Sequence, residues 1–250
     1  MVRHAVRPAT IVIAVLLLAV IPVAVSAQIT AQVGGGVGAV FPSGDYAGTP
    51  TEYYSGTKYG LSTGFNIHGK ARVGLFGFIL AAELGYSSLS NSGDAPGGGT
   101  VELSHSIITI AAGPEFQFSL PALPITPYVG ANIQVNRFGG ETVFKGISSV
   151  SSGTFPVEGA LRVGLGFNGG AILSLGPGMK LDLGASYAMM NMFGKAWTDP
   201  QPTKDDRGDS YGGLNDEKDL LISAGGTKHF IGAARSINAL RFTATVMIGL

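Results

Sequence analysis

The feature that most constrains this chain is a polarity pattern that repeats every second residue. In the stretch YGLSTGFNIHGKARV, which ends at Val73, the apolar residues Phe65 and Ile67 alternate with the polar residues Asn66 and His68. Successive side chains of a β-strand point to opposite faces, so this period of two predicts a strand with one apolar and one polar face.

Eight runs of the chain carry this alternation. They are 29–42, 59–73, 78–89, 102–118, 127–136, 159–173, 179–189 and 240–250. The connections between them alternate between long and short, with long loops at about 42–58, 90–99, 138–157 and 191–238. Long loops at one end and tight turns at the other are typical of a membrane barrel built from antiparallel hairpins.

The composition indicates where the apolar face points. Only 13% of the residues are charged, glycine accounts for 39 of 250 residues, and the mean hydropathy is +0.32. A soluble domain has about twice that charge, and after residue 27 no apolar stretch is long enough for a membrane helix. A closed barrel satisfies its backbone within a bilayer without helices. We therefore predict an all-β fold, an eight-stranded antiparallel transmembrane β-barrel.

A barrel of ten strands is the alternative count. The segment DLLISAGGTKHFI, residues 219–231, has some strand character and would make nine strands. A tenth would have to come from ETVFKGI, residues 141–147, in the third loop. An even number lets both ends finish on the same side of a membrane, which favours eight or ten over nine.

The N-terminal segment has the form of a secretory signal peptide. Arg3 and Arg7 precede an uncharged apolar run from Ile11 to Val25, and small residues follow up to Ala27. This order predicts cleavage after residue 27, so that residues 1–27 are the signal and residues 28–250 form the barrel domain. We expect export to an outer membrane, with the barrel-assembly machinery and membrane lipid as partners.

Charge and cysteine content exclude several classes of protein. The whole chain has 16 basic and 16 acidic residues, and loss of Arg3 and Arg7 with the signal leaves a formal charge of −2. Nucleic acid is therefore not an expected partner. The chain has no cysteine, which excludes disulfides, thiolate metal sites and a lipid-bearing N-terminal cysteine.

Charged residues on the polar faces predict a network inside the barrel. If the turn after Val73 paired that residue with Phe78, His68 would lie opposite Glu83. Buried charges need partners, and eight strands leave room only for packed side chains, so a plug is favoured over an ion path. The predicted lumen residues are His68, Lys70, Arg72, Glu83, Glu115, Arg162, Lys180, Asp182 and Arg241.

The apolar faces predict two further features. Aromatic residues at the ends of the strands are expected to form interfacial girdles, and the residues assigned to them are Tyr59, Tyr86, Phe116, Phe118 and Tyr187. The last strand is expected to close the barrel against the first, with an outward face made of Leu240, Phe242, Val246, Ile248 and Leu250.

No catalytic, cofactor or metal site is predicted. The motif SHS around His105 invites a nucleophile interpretation, but neighbouring residues on a strand point to opposite faces and cannot form a hydrogen-bonded pair. The acidic segment 199–219 could bind calcium, although Arg207 and Ser210 break the pattern of an EF-hand loop. It also contains the tripeptide Arg207-Gly208-Asp209, which we interpret as accidental.

The sequence resembles the small outer-membrane β-barrel proteins of Gram-negative bacteria, the OmpA/OmpX-like barrels. The likeness lies in GVGAVFPSGDY, in AAGPEFQF with PYVGANI, and in the terminal RFTATVMIGL, which ends on Leu250 where such barrels usually end on Phe or Trp. The resemblance implies a fold more than an activity. We expect a monomeric, non-enzymatic barrel without a cofactor, with a structural or surface-interaction role through its outer loops. A narrow porin-like channel and a lipid-modifying enzyme are the alternatives.

Overall fold

The computed structural model of the chain describes residues 30–75, 78–118, 120, 124–148, 150–195, 214, 216 and 234–249. Its eight strands are β1 (Thr30–Ser43), β2 (Gly64–Leu75), β3 (Phe78–Asp94), β4 (Thr100–Gln117), β5 (Ile125–Lys145), β6 (Gly153–Gly176), β7 (Met179–Phe193) and β8 (Asn238–Gly249). A 3₁₀ turn (Gly44–Tyr46) and one short helix, α1 (Pro50–Tyr54), lie in the first long loop. None of the helices in these ranges is long and apolar enough to cross a bilayer.

The strands form one closed antiparallel barrel in sequence order, with β1 paired to both β2 and β8. The predicted eight-stranded barrel is therefore confirmed. The segment ETVFKGI, which a ten-stranded barrel would need as a separate strand, instead supplies the last five residues of β5, up to Lys145, and the start of the loop after it. The other segment invoked for ten strands, 219–231, lies outside the described residues, as do the predicted signal peptide and Leu250.

Strand pairing fixes the tilt of the barrel. A row of paired residues that starts at Val33 of β1 and passes once around all eight strands returns to β1 at Ser43, ten residues further along. With a rise of about 3.3 Å per residue and a strand spacing of about 4.8 Å, this offset tilts the strands by about 40°. The wall thus encloses only a narrow lumen.

Short turns (76–77, 118–124 and 177–178) join the strands at one end, the turn end, and longer loops join them at the other, the loop end. The two middle loops are shorter than predicted, covering 95–99 and 146–152, because β3, β5 and β6 extend well beyond the expected boundaries at this end. At the loop ends of β3 to β6 the polarity of the two faces is reversed, with polar residues facing outward and apolar residues facing inward. On β5 the exposed residues are Arg137, Glu141 and Lys145, while Phe138 and Phe144 are buried inside. A search for strands with an apolar outer face therefore misses the upper parts of β3, β5 and β6.

The second predicted strand began too early. Tyr59 and Leu61 do not belong to β2 but lie in the first loop, with 1% of each residue exposed. The turn after β2 pairs Leu75 with Phe78, so Lys70, and not His68, lies opposite Glu83. The prediction of a His68–Glu83 pair is wrong. The turn is tighter than assumed, which shifts the partner of Glu83 by two residues along β2.

The outer surface of the barrel carries an apolar band. Its exposed residues include Val37, Ile67, Leu80, Leu84, Ile110, Ile133, Phe167, Leu183, Phe242 and Ile248. Phe78 and Tyr86 lie eight residues apart on β3, at opposite edges of this band. At a tilt of about 40° this separation is a height of about 20 Å, near the roughly 25 Å of a membrane barrel's apolar band.

Candidate functional site

The lower lumen, near the turn end, is filled by an ion-pair cluster. Lys70 and Arg72 of β2 face Glu115 of β4 and Asp182 of β7. Lys70 Nζ lies 2.7 Å from Asp182 Oδ2, and Arg72 Nη2 lies 2.9 Å from the same oxygen. Arg72 Nη2 also donates to Glu115 Oε2 at 3.0 Å. Two cations and two anions balance, as groups with little access to water require.

Tyr128 of β5 completes this cluster. Its hydroxyl donates to Asp182 Oδ1 at 2.7 Å, and its ring lies 4.9 Å from Lys70 Nζ and 4.8 Å from the guanidinium carbon of Arg72. Both distances are in the range of cation–π attraction. Gln117 Nε2 donates to Glu115 Oε1 at 2.9 Å. The charged groups are thus held in place from four strands, and the section is packed with side chains.

A small cavity lies beside this cluster. Its volume is about 40 Å³, and its lining includes Lys70, Glu83, Asn132, Asn168 and Arg241. Arg241 and Glu83 form a second ion pair across it. Because one water molecule needs about 10–15 Å³ of such volume, the cavity can hold a few waters but no larger solute.

Uncharged polar residues fill the lumen above the cavity. Asn66 Oδ1 lies 2.8 Å from His68 Nδ1, and Thr245 Oγ1 lies 2.8 Å from His68 Nε2. A hydroxyl, an imidazole and an amide in series resemble a nucleophile with its base and orienting group. Thr245 and Asn66 are each 1% exposed. A substrate has no access to this hydroxyl, so the arrangement is structural.

The first loop folds into the mouth at the loop end and closes it with an apolar layer. Tyr46, Tyr53 and Tyr59 are buried there among side chains of the barrel wall. That cluster includes Val40, Leu61, Leu89, Val101, Leu103, Ile107, Phe138, Phe144, Val157, Met190 and Ile237. Burial raises the pKa of Tyr53 to about 12, and it raises the pKa values of Tyr46 and Tyr59 well above the usual range.

Hydrogen bonds hold this loop in the mouth. The Tyr53 hydroxyl lies 2.8 Å from Thr142 Oγ1, and Asn91 Nδ2 donates to the carbonyls of Gly60 at 2.7 Å and Gly48 at 3.1 Å. Helix α1 begins with a capping box in which Thr49 and Glu52 satisfy each other's backbone amides. The loop is therefore a structured plug.

Another ion pair, which is buried, lies at the outer edge of this plug. Arg162 of β6 donates two hydrogen bonds to the Asp216 carboxylate, at 2.8 and 2.9 Å. Asn191 Nδ2 donates to Asp216 at 3.0 Å and to the Arg235 carbonyl at 2.9 Å. The Arg235 guanidinium lies 3.9 Å from the centre of the Tyr59 ring. These contacts tie parts of the last loop to the wall.

The predicted lumen residues therefore fall into separate groups. Lys70, Arg72, Glu115 and Asp182 share the lower cluster, Glu83 and Arg241 form the neighbouring pair, and His68 belongs to the uncharged layer. Arg162 lies apart, at the loop end, with Asp216 as its partner. Lys180 lies on the lumen side of β7, paired with Met247 of β8. The sequence predicted that these residues face the lumen, but it did not predict which of them contact one another.

Most of the predicted girdle residues lie on the outer surface. Tyr86, Phe116, Phe118 and Tyr187 are exposed, whereas Tyr59 is buried in the plug, so its girdle assignment is wrong. Other exposed aromatic residues lie beside them: Phe65 packs against Tyr86 with ring centroids 6.3 Å apart, and Phe78 packs against Phe116 at 6.4 Å. Phe41 and Phe242 pack at 5.9 Å across the seam of the barrel.

The last strand closes the barrel, as its pairing with β1 shows. Its residues Leu240, Phe242, Val246 and Ile248 all face outward and are exposed. The seam depends on inward-facing glycines of β1. A Cβ atom at Gly34 would lie 2.1 Å from the Val246 carbonyl oxygen, and one at Gly36 would lie 2.5 Å from that of Ala244.

Several residues of the lumen escaped the sequence analysis. Tyr128 and Thr245 belong to strands with clear alternation, so the sequence could predict that they face inward, but it could not predict which residues they contact. Tyr46 and Tyr53 lie in a loop without periodicity. The only sequence signal for local structure there is the Thr49–Glu52 capping box, which predicts the start of a helix. His105 of the SHS motif faces inward, where its Nδ1 lies 3.5 Å from the Tyr46 hydroxyl.

The acidic segment contributes little to the described structure. Of its acidic residues, Asp216 is placed, and it is buried against Arg162. The others lie outside the described residues: Asp199, Asp205, Asp206, Asp209, Glu217 and Asp219. In the part of the chain that is placed, no group of three or more histidine, aspartate or glutamate side chains is arranged to hold a metal ion.

Some solved structures of bacterial proteins have limited similarity to this chain. Neither protein-family models nor curated sequences match the chain. Among solved structures, Neisserial surface protein A has 15% identity and a TM-score of 0.49, covering 88% of this chain and 98% of its own. Ail, the attachment invasion locus protein of Yersinia pestis, has 10% identity and a TM-score of 0.40, covering 89% and 97%. A major outer membrane protein from Thermus thermophilus has 14% identity and a TM-score of 0.46, covering 88% and 99%. Similarity at this level assigns the chain neither a family nor an activity.

Proposed function

We propose that the protein is an integral outer-membrane barrel that does not conduct solutes, has no enzymatic activity, and acts as a structural or surface-interaction protein through its loop end. The observation that carries this proposal is the double closure of the lumen. An ion-pair cluster around Asp182 fills the lower lumen, and an apolar plug around Tyr53 fills the mouth. A solute would have to displace both.

The apolar outer band supports a membrane location. Large apolar side chains such as Ile67, Leu84 and Ile133 are at least half exposed on the outside of the barrel. In water such a continuous surface would drive aggregation, whereas in a bilayer it matches the hydrocarbon core. The long strand ends of β3 to β6, with polar outer faces, then stand in the aqueous phase at the cell surface.

Single-channel recording in planar bilayers tests the absence of conduction. We expect no discrete openings from the refolded protein under conditions in which a general-diffusion porin conducts. Reproducible openings from folded protein, absent from boiled samples, would establish the channel alternative.

Cysteine labelling on intact cells tests the orientation. Ser151 is exposed in the loop at 146–152, and Pro177 is exposed in a tight turn at the other end. With Ser151→Cys we expect labelling by a membrane-impermeant maleimide, and with Pro177→Cys labelling only after lysis. The reverse result would place the long loops inside the cell envelope.

A further inference from the structure

We propose that the outer lipid boundary is not level around this barrel, and that lipid covers about 5 Å more of the wall at β6 and β7 than at β3 and β4. This inference rests on the proposed membrane location. Its basis is a difference in the chemistry of outward-facing residues that lie at the same height on different strands.

Heights on the wall follow from the pairing register. Ile108 of β4, Arg137 of β5 and Leu161 of β6 lie in one row of paired residues. Because the strands tilt by about 40°, each step along the row climbs by about 3 Å towards the loop end. Leu161 is therefore about 6 Å higher than Ile108.

On the β3–β4 side, polar residues occupy this height. Ser106 is two residues beyond Ile108, which places it about 5 Å higher. Ser88 on β3 pairs with Ser106 one step lower along the row, about 3 Å below it, and follows the exposed Tyr86 on the outer face. On this side the apolar band ends with the ring of Tyr86 and the side chain of Ile108.

On the β6–β7 side, apolar residues occupy the same height. Leu161 is 58% exposed and Phe193 is 62% exposed. Phe193 pairs with Val163, one outward position below Leu161, so it lies within about 2 Å of the height of Leu161. Met192 beside it is also exposed.

Continuity with the apolar band identifies lipid as the occupant. Below Leu161 on β6 the outward residues are Val163, Leu165 and Phe167, and all belong to the same uninterrupted apolar face. Arg137, on the strand between the two sides, is exposed at the point where the boundary rises. An arginine there keeps its guanidinium in water while its stem lies along apolar surface.

The absence of native cysteine makes the boundary directly measurable, because each introduced thiol is the single one in the chain. The variants are Ser88→Cys, Ser106→Cys, Leu161→Cys and Phe193→Cys, with Met192→Cys as a second reporter on β7. Leu84→Cys serves as the control in the middle of the band. Each full-length mature variant is refolded into phosphatidylcholine vesicles and checked for a folded band on an unboiled gel.

Two readouts are combined. We expect a membrane-impermeant maleimide to label Ser88→Cys and Ser106→Cys about tenfold faster than Leu161→Cys and Phe193→Cys, because the reactive thiolate forms only in water. A bimane fluorophore at positions 161, 192 and 193 is expected to be quenched by brominated phosphatidylcholine.

Equal, fast labelling at positions 88, 106, 161 and 193 would overturn the uneven boundary while leaving the membrane location intact. Protection at 161 and 193 without quenching by brominated lipid would also overturn it, since a second copy of the chain or another protein would then cover the patch. Fast labelling of Leu84→Cys would show that the band does not face lipid, and the proposed function would fail together with this inference.

Discussion

Arg72 and Asp182 form an ion pair across the barrel, from strands β2 and β7 that are not neighbours in the sheet, with Arg72 Nη2 2.9 Å from Asp182 Oδ2. Lys70 contacts the same oxygen at 2.7 Å. A single carboxylate thus joins opposite walls through two cations. This carboxylate connects parts of the wall that sheet pairing, which joins only adjacent strands, does not connect directly.

Replacement of Asp182 by asparagine is expected to destabilise the barrel by about 3–5 kcal/mol, because removing one partner leaves buried cations without compensation. Urea unfolding in detergent, followed by far-UV circular dichroism, measures the change. The matched control is Lys145→Gln, which removes the exposed pair with Glu102 and should cost less than about 1 kcal/mol. Equal effects of the two variants would contradict the assigned role of Asp182.

Asp182→Asn also tests whether the closure has two layers. The apolar plug around Tyr53 shares no residue with the lower cluster, so we expect the folded variant to remain silent in planar bilayers. If it conducted, the lower cluster alone would be the barrier, and the plug of the first loop would be open to ions.

The sequence predicted the barrel well because each residue of its wall has only two choices, inward or outward. Residues such as Lys70 and Leu84 follow that choice, and alternation alone assigns them. The upper parts of β3, β5 and β6 escaped prediction because the inside there is apolar and the outside polar, as Phe144 and Lys145 show.

Contacts across the lumen could not be predicted in the same way. The grouping of Arg72 with Asp182, and the separation of Arg162 from both, depend on the register of eight strands and on the offset accumulated around the barrel. One misjudged turn, as between Leu75 and Phe78, shifts every partner by two residues. Loop residues such as Tyr59 carry no periodic signal at all.

Removal of the Arg162 guanidinium is expected to loosen the outer edge of the plug. In Arg162→Gln the Asp216 carboxylate, which has no exposed side-chain surface, loses both charged hydrogen bonds, at a cost of about 3 kcal/mol. Hydrogen exchange should quicken at the amides of Met190 and Ile237, which are bonded beside this site. The exposed Arg137→Gln is the control, and equal exchange in both variants would argue against a structural role for the Arg162–Asp216 pair.

Alkaline titration should reveal the buried tyrosines of the first loop. Their pKa values are raised by burial, that of Tyr53 to about 12. A raised folded-state pKa contributes stability that is fully present below the unfolded value of about 10 and is lost as the pH rises through the folded value. Absorbance at 295 nm of the folded protein, minus that of Tyr53→Phe, is expected to rise near pH 12. A rise centred near the unfolded value would show that Tyr53 is accessible to water.

Closure of the barrel between β1 and β8 is expected to require glycine at position 34. A Cβ there would lie 2.1 Å from the Val246 carbonyl oxygen, which is backbone and cannot rotate away. Gly34→Ala must therefore push the two strands apart or distort their hydrogen bonds, at a cost of about 3 kcal/mol.

The neighbouring Gly35 is the matched control for this seam. It lies on the outer face of the same strand, and the nearest atom to its Cβ position, the His68 carbonyl oxygen, is 3.9 Å away. We expect Gly35→Ala to fold like the wild type and Gly34→Ala to lose most of the fast-migrating folded band on unboiled gels, with a lower midpoint of urea unfolding. Equal folding of the two variants would mean that β8 can shift outward without loss of pairing, and that the glycines of β1 are not what permits the seam to close.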